Sequence, residues 1–293
     1  MASSNPPFFE RALILVRGGG DLASGAVYRL QRAGFPVVVT ELETPLLVRR
    51  AVSYGDAVYA QTRTVDGITA RLVTAEAVHA TIRAGEVPVV IDPDGALLRA
   101  LMPAVVVDAR MEKRNLGTTL ADAPLVIALG PGFTAGQDCH IVIETNRGHH
   151  LGRVIEHGPA EPDSGEPGSV RSQTHSRVLR APEAGFVEPL AQIGDLIATG
   201  QPIARVGASM ITAGFDGVLR GLIHERVSVM RGMKIGDLDP RAEREMCFTI
   251  SDKSLAVGGG VLEAVLAARQ VRPFLDASRR ALATSPAADQ SSR

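Results

Sequence analysis

Short apolar runs alternate with segments of helical period along the first half of the chain. ALILVR, at residues 12–17, is apolar at almost every position and lacks a 3.6-residue period, which is typical of a buried strand. The segment beginning at Asp21 has apolar residues on one face, and Gly34 is suited to end it, so it predicts a helix. PVVVTE, at residues 36–41, predicts the next strand. This order is typical of the opening half of a doubly wound sheet.

The same alternation continues to about residue 150. Helical segments are predicted around residues 74–84 and 95–101. Strand-like runs are predicted at residues 68–73, 87–91, 104–108, 125–129 and 140–144. Strands separated by helices favour a mostly parallel sheet with helices on its faces. We therefore predict a Rossmann-like α/β ligand-binding domain over residues 1–155.

An internal repeat follows this domain. Residues 156–176 are rich in Gly, Pro and Ser and predict a loop. Beyond it, RAPEAGFVEPL…IGDLIATGQPIARV aligns with TAGFDGVLRGL…VSVMRGMKI at a shift of 32 residues. Each copy predicts strand, turn and strand, and neither can bury its apolar face alone. The repeat therefore predicts a small β barrel-sandwich, similar to biotinyl and lipoyl domains, over residues 177–250.

Two positions in the repeat bear on its shape and use. Arg226 stands in the second copy where the first has Gly194, so the second turn is expected to differ. The turn between the copies, at residues 206–214, contains no lysine. A biotinyl or lipoyl carrier needs a lysine at this place, so a swinging-arm carrier is not expected.

The C-terminal part returns to the α/β pattern. CFTIS at residues 247–251 predicts a strand, GGG at residues 258–260 a turn, and VLEAVLAARQ at residues 261–270 a helix. We expect a unit of strand, glycine turn and helix over residues 251–272. Residues 273–293 are mostly small and polar and predict a disordered tail.

Composition and charge narrow the range of partners. The 293 residues include 31 basic and 32 acidic ones, for a net charge of −1, and aromatic residues make up 4% without any Trp. Nucleic acid is not expected, because its binders usually present a basic surface and stacking aromatics. No apolar run approaches the roughly 20 residues of a membrane span and no secretion signal is evident, so we expect a cytoplasmic protein without membrane contact. The two cysteines form no CxxC pair, and no metal site is expected.

The main candidate for ligand binding is the glycine-rich loop after the first predicted strand. Gly18, Gly20 and Ala23 satisfy the pattern G-x-G-x-x-G/A between a strand and a helix. Backbone amides at a helix N-terminus bind phosphate because they are unpaired and lie at the positive end of the helix dipole. Glu41 ends the second strand, where a ribose-binding acid is expected. The predicted cofactor-binding residues here are Gly18, Gly19, Gly20, Asp21, Leu22, Ala23 and Glu41.

A structural interpretation of the same residues stays open. Asp21 places a negative charge beside the expected phosphate, and in this interpretation it is only an N-cap, with Glu41 an exposed strand end. The second glycine cluster, at residues 258–260, follows Ser251, Asp252 and Lys253. It is either another phosphate-binding turn or a tight turn that leads into a core helix.

Two more loops are expected at the edge of the sheet where ligands of open α/β folds bind. GPGFTAGQD at residues 130–138 and VDARMEKRN at residues 107–115 both follow predicted strands. They add Gly130, Gly132, Arg110, Lys113 and Arg114 to the candidates, and the cations suit an anionic ligand. The alternative is a solvated charged turn. No catalytic residue is assigned, because Cys139 and Cys247 lack an evident activating partner, and His149 is either an acid/base or ligand-positioning group or a surface histidine.

A set of longer motifs points to one family. They are RGGGDLASGAVYRL, TELETPLLVRRAVSYGDAVY, LGPGFTAGQD, IETNRGHHLGRVI, RGMKIGDLDPR and ISDKSLAVGGGVLEAVL. On these motifs, between about residues 11 and 268, the chain resembles YqeB-type proteins of the selenium-dependent molybdenum hydroxylase system. Its first domain is also similar in style to the Rossmann-like part of XdhC, an accessory protein that prepares molybdenum cofactor for xanthine dehydrogenase.

The resemblance implies an accessory role in the maturation of a molybdenum hydroxylase. The glycine-rich loop would bind a phosphorylated cofactor such as molybdenum cofactor (molybdopterin), and the partners would be the hydroxylase client or other maturation proteins. The alternative is an NAD(P)-dependent oxidoreductase that uses the same loop. A binding module with purely structural glycine loops is a third hypothesis. The sequence leaves open whether the chain turns over a substrate and whether it forms a homo-oligomer.

Overall fold

The computed structural model describes residues 7–162 and 177–275, which form an α/β region and an all-β region, each with its own hydrophobic core. The strands of the first region are β1 (Ile14–Arg17), β2 (Val37–Glu41), β3 (Thr62–Val65), β4 (Ile68–Leu72), β5 (Val87–Ile91), β6 (Val105–Asp108), β7 (Leu125–Leu129), β8 (Thr134–Ala135), β9 (Ile141–Ile143), β10 (Val154–Ile155) and β11 (Gly158–Pro159). The helices are α1 (Asp21–Arg32), α2 (Ala57–Ala60), α3 (Val78–Arg83), α4 (Ala96–Leu101) and α5 (Asp252–Ala267). Short 3₁₀ turns cover Arg50–Val52, Tyr54–Asp56, Ala75–Ala77, Leu120–Asp122, Arg244–Cys247 and Arg269–Val271.

The central sheet of the α/β region is mostly parallel. Within the described residues it has nine strands in the order β10-β9-β7-β6-β1-β2-β5-β4-β3. The outermost strands, β3 and β10, are antiparallel to their neighbours, and the other neighbouring strands are parallel. The chain runs from β1 to β2 on one side and later to β6 on the other. This switch point places the ligand crevice of an open sheet at the carboxyl end of β1.

Alternating residues of the strands pack on opposite faces of the sheet. Ile14 and Val16 of β1 lie in the core that also contains α1 and α5, whereas Leu15 packs on the other face with residues of α3 and α4. Strands that are covered on both faces are apolar throughout, which explains the continuous apolar runs in the sequence. The predicted Rossmann-like class is confirmed. The expected helix over residues 74–84 is present as a 3₁₀ turn followed by α3.

The predicted loop over residues 156–176 is partly ordered into the fold. Gly158–Pro159 pair with β8 as a two-stranded sheet, and Ala160 is buried beside them. The loop prediction is therefore wrong for these positions, because a strand partner and a buried alanine fix them. Residues 163–176 lie outside the described part of the chain.

The all-β region confirms the repeat at the level of single strands. Its strands are β12 (Val178–Arg180), β13 (Gly185–Pro189), β14 (Leu196–Ile197), β15 (Pro202–Val206), β16 (Ser209–Thr212), β17 (Gly217–Leu222), β18 (Ser228–Val229) and β19 (Lys234–Asp239). The first residues of β13, β14 and β15 recur 32 positions later as those of β17, β18 and β19. The short middle strands are exchanged, because β14 pairs with β17 and β18 pairs with β13. Each copy thus completes the sheet of the other.

The turn at Arg226 does not break this symmetry. Gly194 has φ of +100°, whereas Arg226 is absent from the residues with positive φ, so the second turn has adopted a conformation open to any side chain. The guanidinium of Arg226 instead lies 5.6 Å from the ring centre of Tyr59, in the α/β region. The expected difference at this turn is local.

The C-terminal prediction is wrong for the strand and the glycine turn, whereas the predicted helix is present as the second half of α5. Residues 248–251 form no strand, and GGG at residues 258–260 lies inside α5. An ideal Cβ on Gly258 would overlap the backbone oxygen of Gly25 in α1, and one on Gly25 would overlap the backbone oxygen of Ser254. Gly25 and Gly258 are required because two helix backbones meet there, not because the chain turns.

Helix α5 completes the α/β core, so the all-β region is inserted between two parts of that core. Val257, Val261 and Val265 are fully buried among residues of α1 and the sheet. Phe274 and Leu275 also pack against this core, which contradicts the predicted disorder at the start of the tail, and residues 276–293 lie outside the described chain. In the described ranges no single helix is both long and apolar enough to span a membrane, and the bent pair Asp252–Ala267 and Arg269–Leu275 meets that test by length and composition only.

The helix contact generates a prediction from two adjacent glycines. In Gly258→Ala the new methyl group would overlap the Gly25 backbone, so we expect a loss of about 1–3 kcal/mol in the free energy of unfolding. Gly259 has open space at its Cβ, so Gly259→Ala is the matched control and should gain about 0.5–1 kcal/mol from helix propensity. Urea unfolding followed by circular dichroism measures both. Equal stabilisation by the two variants would contradict the close backbone contact.

Candidate functional site

The structure places all the predicted ligand-binding loops along one edge of the sheet. An ideal Cβ on Gly18 would lie 3.1 Å from the Cα of Arg110, so the glycine loop packs on the loop after β6. The Cβ position of Gly132 would overlap the backbone of Lys113 and Arg114, and that of Gly130 would overlap the Thr145 side chain in the loop after β9. The candidate residues are therefore neighbours through backbone contacts.

The amides of the first two loop glycines are occupied by the protein itself. The amide of Gly18 donates to the Thr40 carbonyl at 2.8 Å, and that of Gly19 donates to Oε1 of Glu41 at 2.7 Å. Gly18 has φ of +86°, and an ideal Cβ on Gly19 would lie 2.6 Å from the amide nitrogen of Gly55. Side chains are excluded at both positions for structural reasons. Their amides do not face a ligand in this structure.

Glu41 closes the loop instead of standing free at the strand end. Its Oε1 accepts the Gly19 amide, and its Oε2 accepts the Leu42 amide at 3.0 Å. The residue is 9% exposed, and burial raises the pKa of its carboxyl group. The interpretation of Glu41 as an exposed strand end is wrong. A hydrogen bond to ribose would require the carboxylate to leave one or both backbone amides.

The first turn of α1 presents unpaired amides at the same edge. Gly20 is the N-cap, with φ of −70° and ψ of −176°, and no side chain caps the helix. Within the described residues, the amides of Gly20, Asp21, Leu22 and Ala23 have no hydrogen-bond acceptor, and the first intrahelical bond runs from the Ser24 amide to the Gly20 carbonyl at 2.9 Å. Such amides, together with the helix dipole, favour an anion.

Asp21 is not the N-cap that one interpretation of the sequence assigned to it. Its Oδ2 accepts a hydrogen bond from Arg49 at 2.8 Å, and its Oδ1 accepts one from the Ser254 hydroxyl at 2.9 Å. Ser254 lies in the first turn of α5, whose N-cap Ser251 accepts its amide. The negative charge that argued against phosphate binding is therefore paired. The Asp21 carboxylate also connects the N-termini of α1 and α5.

A series of contacts between charged groups leads from Arg49 into the all-β region. Arg49 and Arg220 both donate to the carbonyl of Met246, at 3.3 and 3.4 Å. Arg220 also lies 3.3 Å from Oδ2 of Asp239, which Arg241 contacts at 2.5 Å. The sequence analysis missed these residues, because no short motif connects positions 49, 220 and 241.

The charged groups of this series affect one another's ionisation. Burial lowers the pKa of the Arg220 guanidinium, and the nearby charge of Arg49 acts in the same direction. Burial alone would raise the pKa of Asp239, but its hydrogen bonds with Arg241 outweigh burial and hold the pKa at about 2. The carboxylate stays ionised at neutral pH. Cations from both regions therefore meet beside the α1 N-terminus.

The cations predicted in the loop after β6 are Arg110, Lys113 and Arg114, and their surroundings differ from one another. Arg110 contacts the buried carboxylate of Asp108 through Nη2 at 2.6 Å, and the same carboxylate accepts the Thr118 hydroxyl. Its charge is therefore used within the fold. Lys113 and Arg114, in the same loop, are exposed. They lie at the expected edge.

The structure offers no activated nucleophile at either cysteine. Both are buried, and burial raises the pKa of the Cys139 thiol to about 12 and also raises that of Cys247. His149 is exposed, and its ring contacts His150 edge to face. No group of three or more potential metal ligands occurs among the described residues.

Comparisons with known proteins give one relative and a weak structural likeness. No protein-family profile matches the chain. Among solved structures, an aspartoacylase family protein from Mesorhizobium loti aligns with 14% identity and a TM-score of 0.24, and the alignment covers 80% of this chain and 85% of that chain. A succinylglutamate desuccinylase/aspartoacylase from Rhodobacter sphaeroides aligns with 16% identity and a TM-score of 0.25, and the alignment covers 78% of this chain and 86% of that chain.

The sequence relative is much more similar. It is the uncharacterized protein YqeB of Escherichia coli K12, which is 49% identical over 256 residues. The match covers 87% of this chain and 47% of the relative, so the chain spans about half the length of the curated protein that it matches. The chain is therefore a homologue of Escherichia coli YqeB.

Proposed function

We propose that the chain is an accessory factor in the maturation of a molybdenum hydroxylase and that it binds a phosphorylated cofactor at the N-terminus of α1. Molybdenum cofactor is the ligand that the resemblance implies, and a hydroxylase client or another maturation protein would be the partner. The choice of system rests on the family resemblance of the sequence motifs. The geometry of the α1 N-terminus supports the choice of a phosphorylated ligand.

The observation that carries the proposal is the row of unpaired amides from Gly20 to Ala23. They lie at the carboxyl edge of the sheet, where the dipole of a 12-residue helix favours a negative group. Arg49 stands beside them, already oriented by Asp21. A phosphate here would accept amide hydrogen bonds and lie near a guanidinium, without the need to displace Glu41. The pterin would lie outside this contact.

The NAD(P)-dependent oxidoreductase remains the second candidate, favoured by the glycine pattern between β1 and α1. It needs a group for the ribose hydroxyls, and Glu41 is engaged with two loop amides. It also predicts fluorescence enhancement of NADH or NADPH on mixing. Direct titration with these nucleotides separates the candidates, since an accessory factor for molybdenum cofactor should give no such signal.

A substitution at Gly20 tests the phosphate contact. The N-cap backbone is extended, and an ideal Cβ would lie 3.6 Å from Cδ2 of Leu47, so a side chain fits without strain. In Gly20→Asp the new carboxylate should accept the free amides of the first turn and exclude phosphate. We expect unchanged or higher thermal stability and a loss of about tenfold to a hundredfold in affinity for molybdenum cofactor.

The matched control is Gly20→Ala, which adds a Cβ without an acceptor. Calorimetric titration with molybdenum cofactor released from a purified molybdoenzyme, and with CMP and GMP, measures the three proteins. The alanine variant should bind nearly as well as the parent. If no phosphorylated compound binds the parent chain, or if the aspartate variant binds as tightly, the proposed site is rejected.

The accessory role has a separate test in the native host. Deletion of the gene should lower the molybdenum and pterin content per subunit of a purified hydroxylase, because the enzyme would be assembled without its cofactor. The parent gene should restore both contents, and the gene for Gly20→Asp should not. A hydroxylase that is fully loaded in the deletion strain would reject the maturation role, even if phosphate binding is retained.

A further inference from the structure

A cavity of about 700 Å³ lies where β4 and β5 end, and we call it the β4–β5 pocket. Leu72 at the end of β4, Val90 in β5 and Leu97 in α4 line it. The two strands are parallel, so the pocket lies at the carboxyl edge of the sheet. Its lining residue Asp92 donates its amide to the Glu41 carbonyl at 2.9 Å, so the pocket adjoins the end of β2. Its volume is typical of small-molecule sites, which span roughly 300–1,000 Å³.

The fold leaves apolar surface of this pocket uncovered. Ile91 is 40% exposed, although the other four residues of β5 are buried. Ala96 and Ala100 lie one turn apart on α4 and are both exposed, so this helix contributes small side chains to the lining. Small side chains beside an apolar surface leave room for a flat group. A concave apolar surface with a few polar groups is typical of a ligand site.

The polar groups of the pocket suit a ligand that donates hydrogen bonds. They belong to Gln61, Thr74, Glu76 and Asp92, and no Lys or Arg occurs among the described residues of the lining. Both oxygens of Asp92 already accept backbone amides, those of Ala96 at 2.8 Å and Leu97 at 3.0 Å. A hydrogen bond with Thr74 lowers the pKa of Glu76, so this carboxylate is ionised at neutral pH. Two carboxylates without a cation favour N–H donors and disfavour a phosphate.

Gln61 adds a side-chain donor and acceptor to the same cavity. Its backbone has φ of 65° and ψ of −37°, a region that residues other than glycine rarely adopt. Its carbonyl accepts the Leu72 amide at 2.9 Å, which holds the residue beside the end of β4. In the ranges that the structure describes, its side-chain amide makes no hydrogen bond. Backbone strain of this kind is concentrated at ligand-binding positions.

We propose that the β4–β5 pocket binds a flat heterocycle through an edge with two adjacent N–H donors, which is the 2-amino-4-oxopyrimidine edge that guanine and pterin rings share. Glu76 accepts the two N–H groups, because a carboxylate matches a parallel pair of donors. The Gln61 amide pairs with the neighbouring ring oxygen. Leu72, Val90 and Leu97 contact the ring face. The inference goes beyond the proposed function, because this site requires neither a phosphate nor the α1 amides.

Matched ligands without phosphate test the contact with this edge. Calorimetry on the full chain compares guanosine with inosine, which lacks the amino group, and pterin with lumazine, in which an oxygen replaces that group. Guanosine and pterin should each bind about tenfold more tightly than their partners, because loss of the amino group leaves a charged acceptor unpaired. The tighter binder of guanosine and pterin identifies the source of the ring.

Two substitutions with matched controls locate the binding in the pocket. Glu76→Gln should remove most of the preference for guanosine over inosine, whereas Glu263→Gln, at an exposed position of α5 on the other face of the sheet, should keep it. Ala96→Leu should fill the cavity and weaken guanosine and pterin by about tenfold or more. Ala80→Leu, at an exposed position of α3 outside the lining, should leave their affinities unchanged.

Gln61→Gly separates a ligand contact from a structural role. Glycine adopts this backbone without strain, so the variant should unfold at a higher temperature than the parent chain. Its affinity for guanosine and pterin should nevertheless fall, because the side-chain amide is lost. Unchanged affinity in this variant would show that Gln61 makes no ligand contact.

The outcomes distinguish this inference from the proposed function. Equal binding within both ligand pairs overturns the assigned edge, and binding that Glu76→Gln and Ala96→Leu leave unchanged overturns the pocket. Failure of all four compounds to bind overturns the inference and leaves the α1 phosphate site intact. GMP binding that is lost in Gly20→Asp and kept in Ala96→Leu belongs to the α1 site, and the reverse result assigns it to the β4–β5 pocket.

Discussion

Helices α1 and α5 meet through their backbones, and the charges beside the glycine loop depend on that contact. Gly25 and Gly258 remove the side chains that would keep the helices apart. The two N-termini then lie close enough for Ser254 to donate to Asp21. With its carboxylate held by Ser254 and Arg49, Asp21 cannot fold back as a cap on its own helix. The amides of the first turn of α1 are left open as a consequence of packing that occurs a full turn away.

The position of the inserted all-β region also depends on contacts with the α/β region. The chain leaves the α/β region after β11 and returns to it as α5, so both ends of the insertion are fixed to the α/β region. Backbone contact is close here too, because an ideal Cβ on Gly221 would lie 2.7 Å from the Val48 carbonyl oxygen. Arg50 donates to the Leu222 carbonyl at 2.8 Å, and the His224 ring stacks on Tyr59 at 3.8 Å. These contacts hold the end of β17 against the loop that carries Arg49.

Local sequence predicted the elements well where a single physical cause controls the pattern. Strands buried on both faces must be apolar, and the repeat must recur because each copy completes the other, so both were visible in the sequence. A glycine in the sequence can indicate either a turn or a close approach of two backbones, and the two look alike in the sequence. GGG at residues 258–260 was assigned to a turn, but it lies inside α5. The role of Glu41 was also hidden, because its partner Gly19 is determined by loop geometry. Arg49 and Arg220 donate to the same Met246 carbonyl, and no local sequence pattern indicates this shared contact.

Arginines make the ion pairs that surround the contact between the two regions. Arginine presents a planar set of donors that matches a carboxylate, and here arginines make the permanent ion pairs with Asp21, Asp237 and Asp239. Lysine is a compact, strongly hydrated charge on a flexible stem, which suits a ligand that comes and goes. An arginine-to-lysine substitution at one of these ion pairs would therefore keep the charge but lose the planar donor geometry that matches the carboxylate.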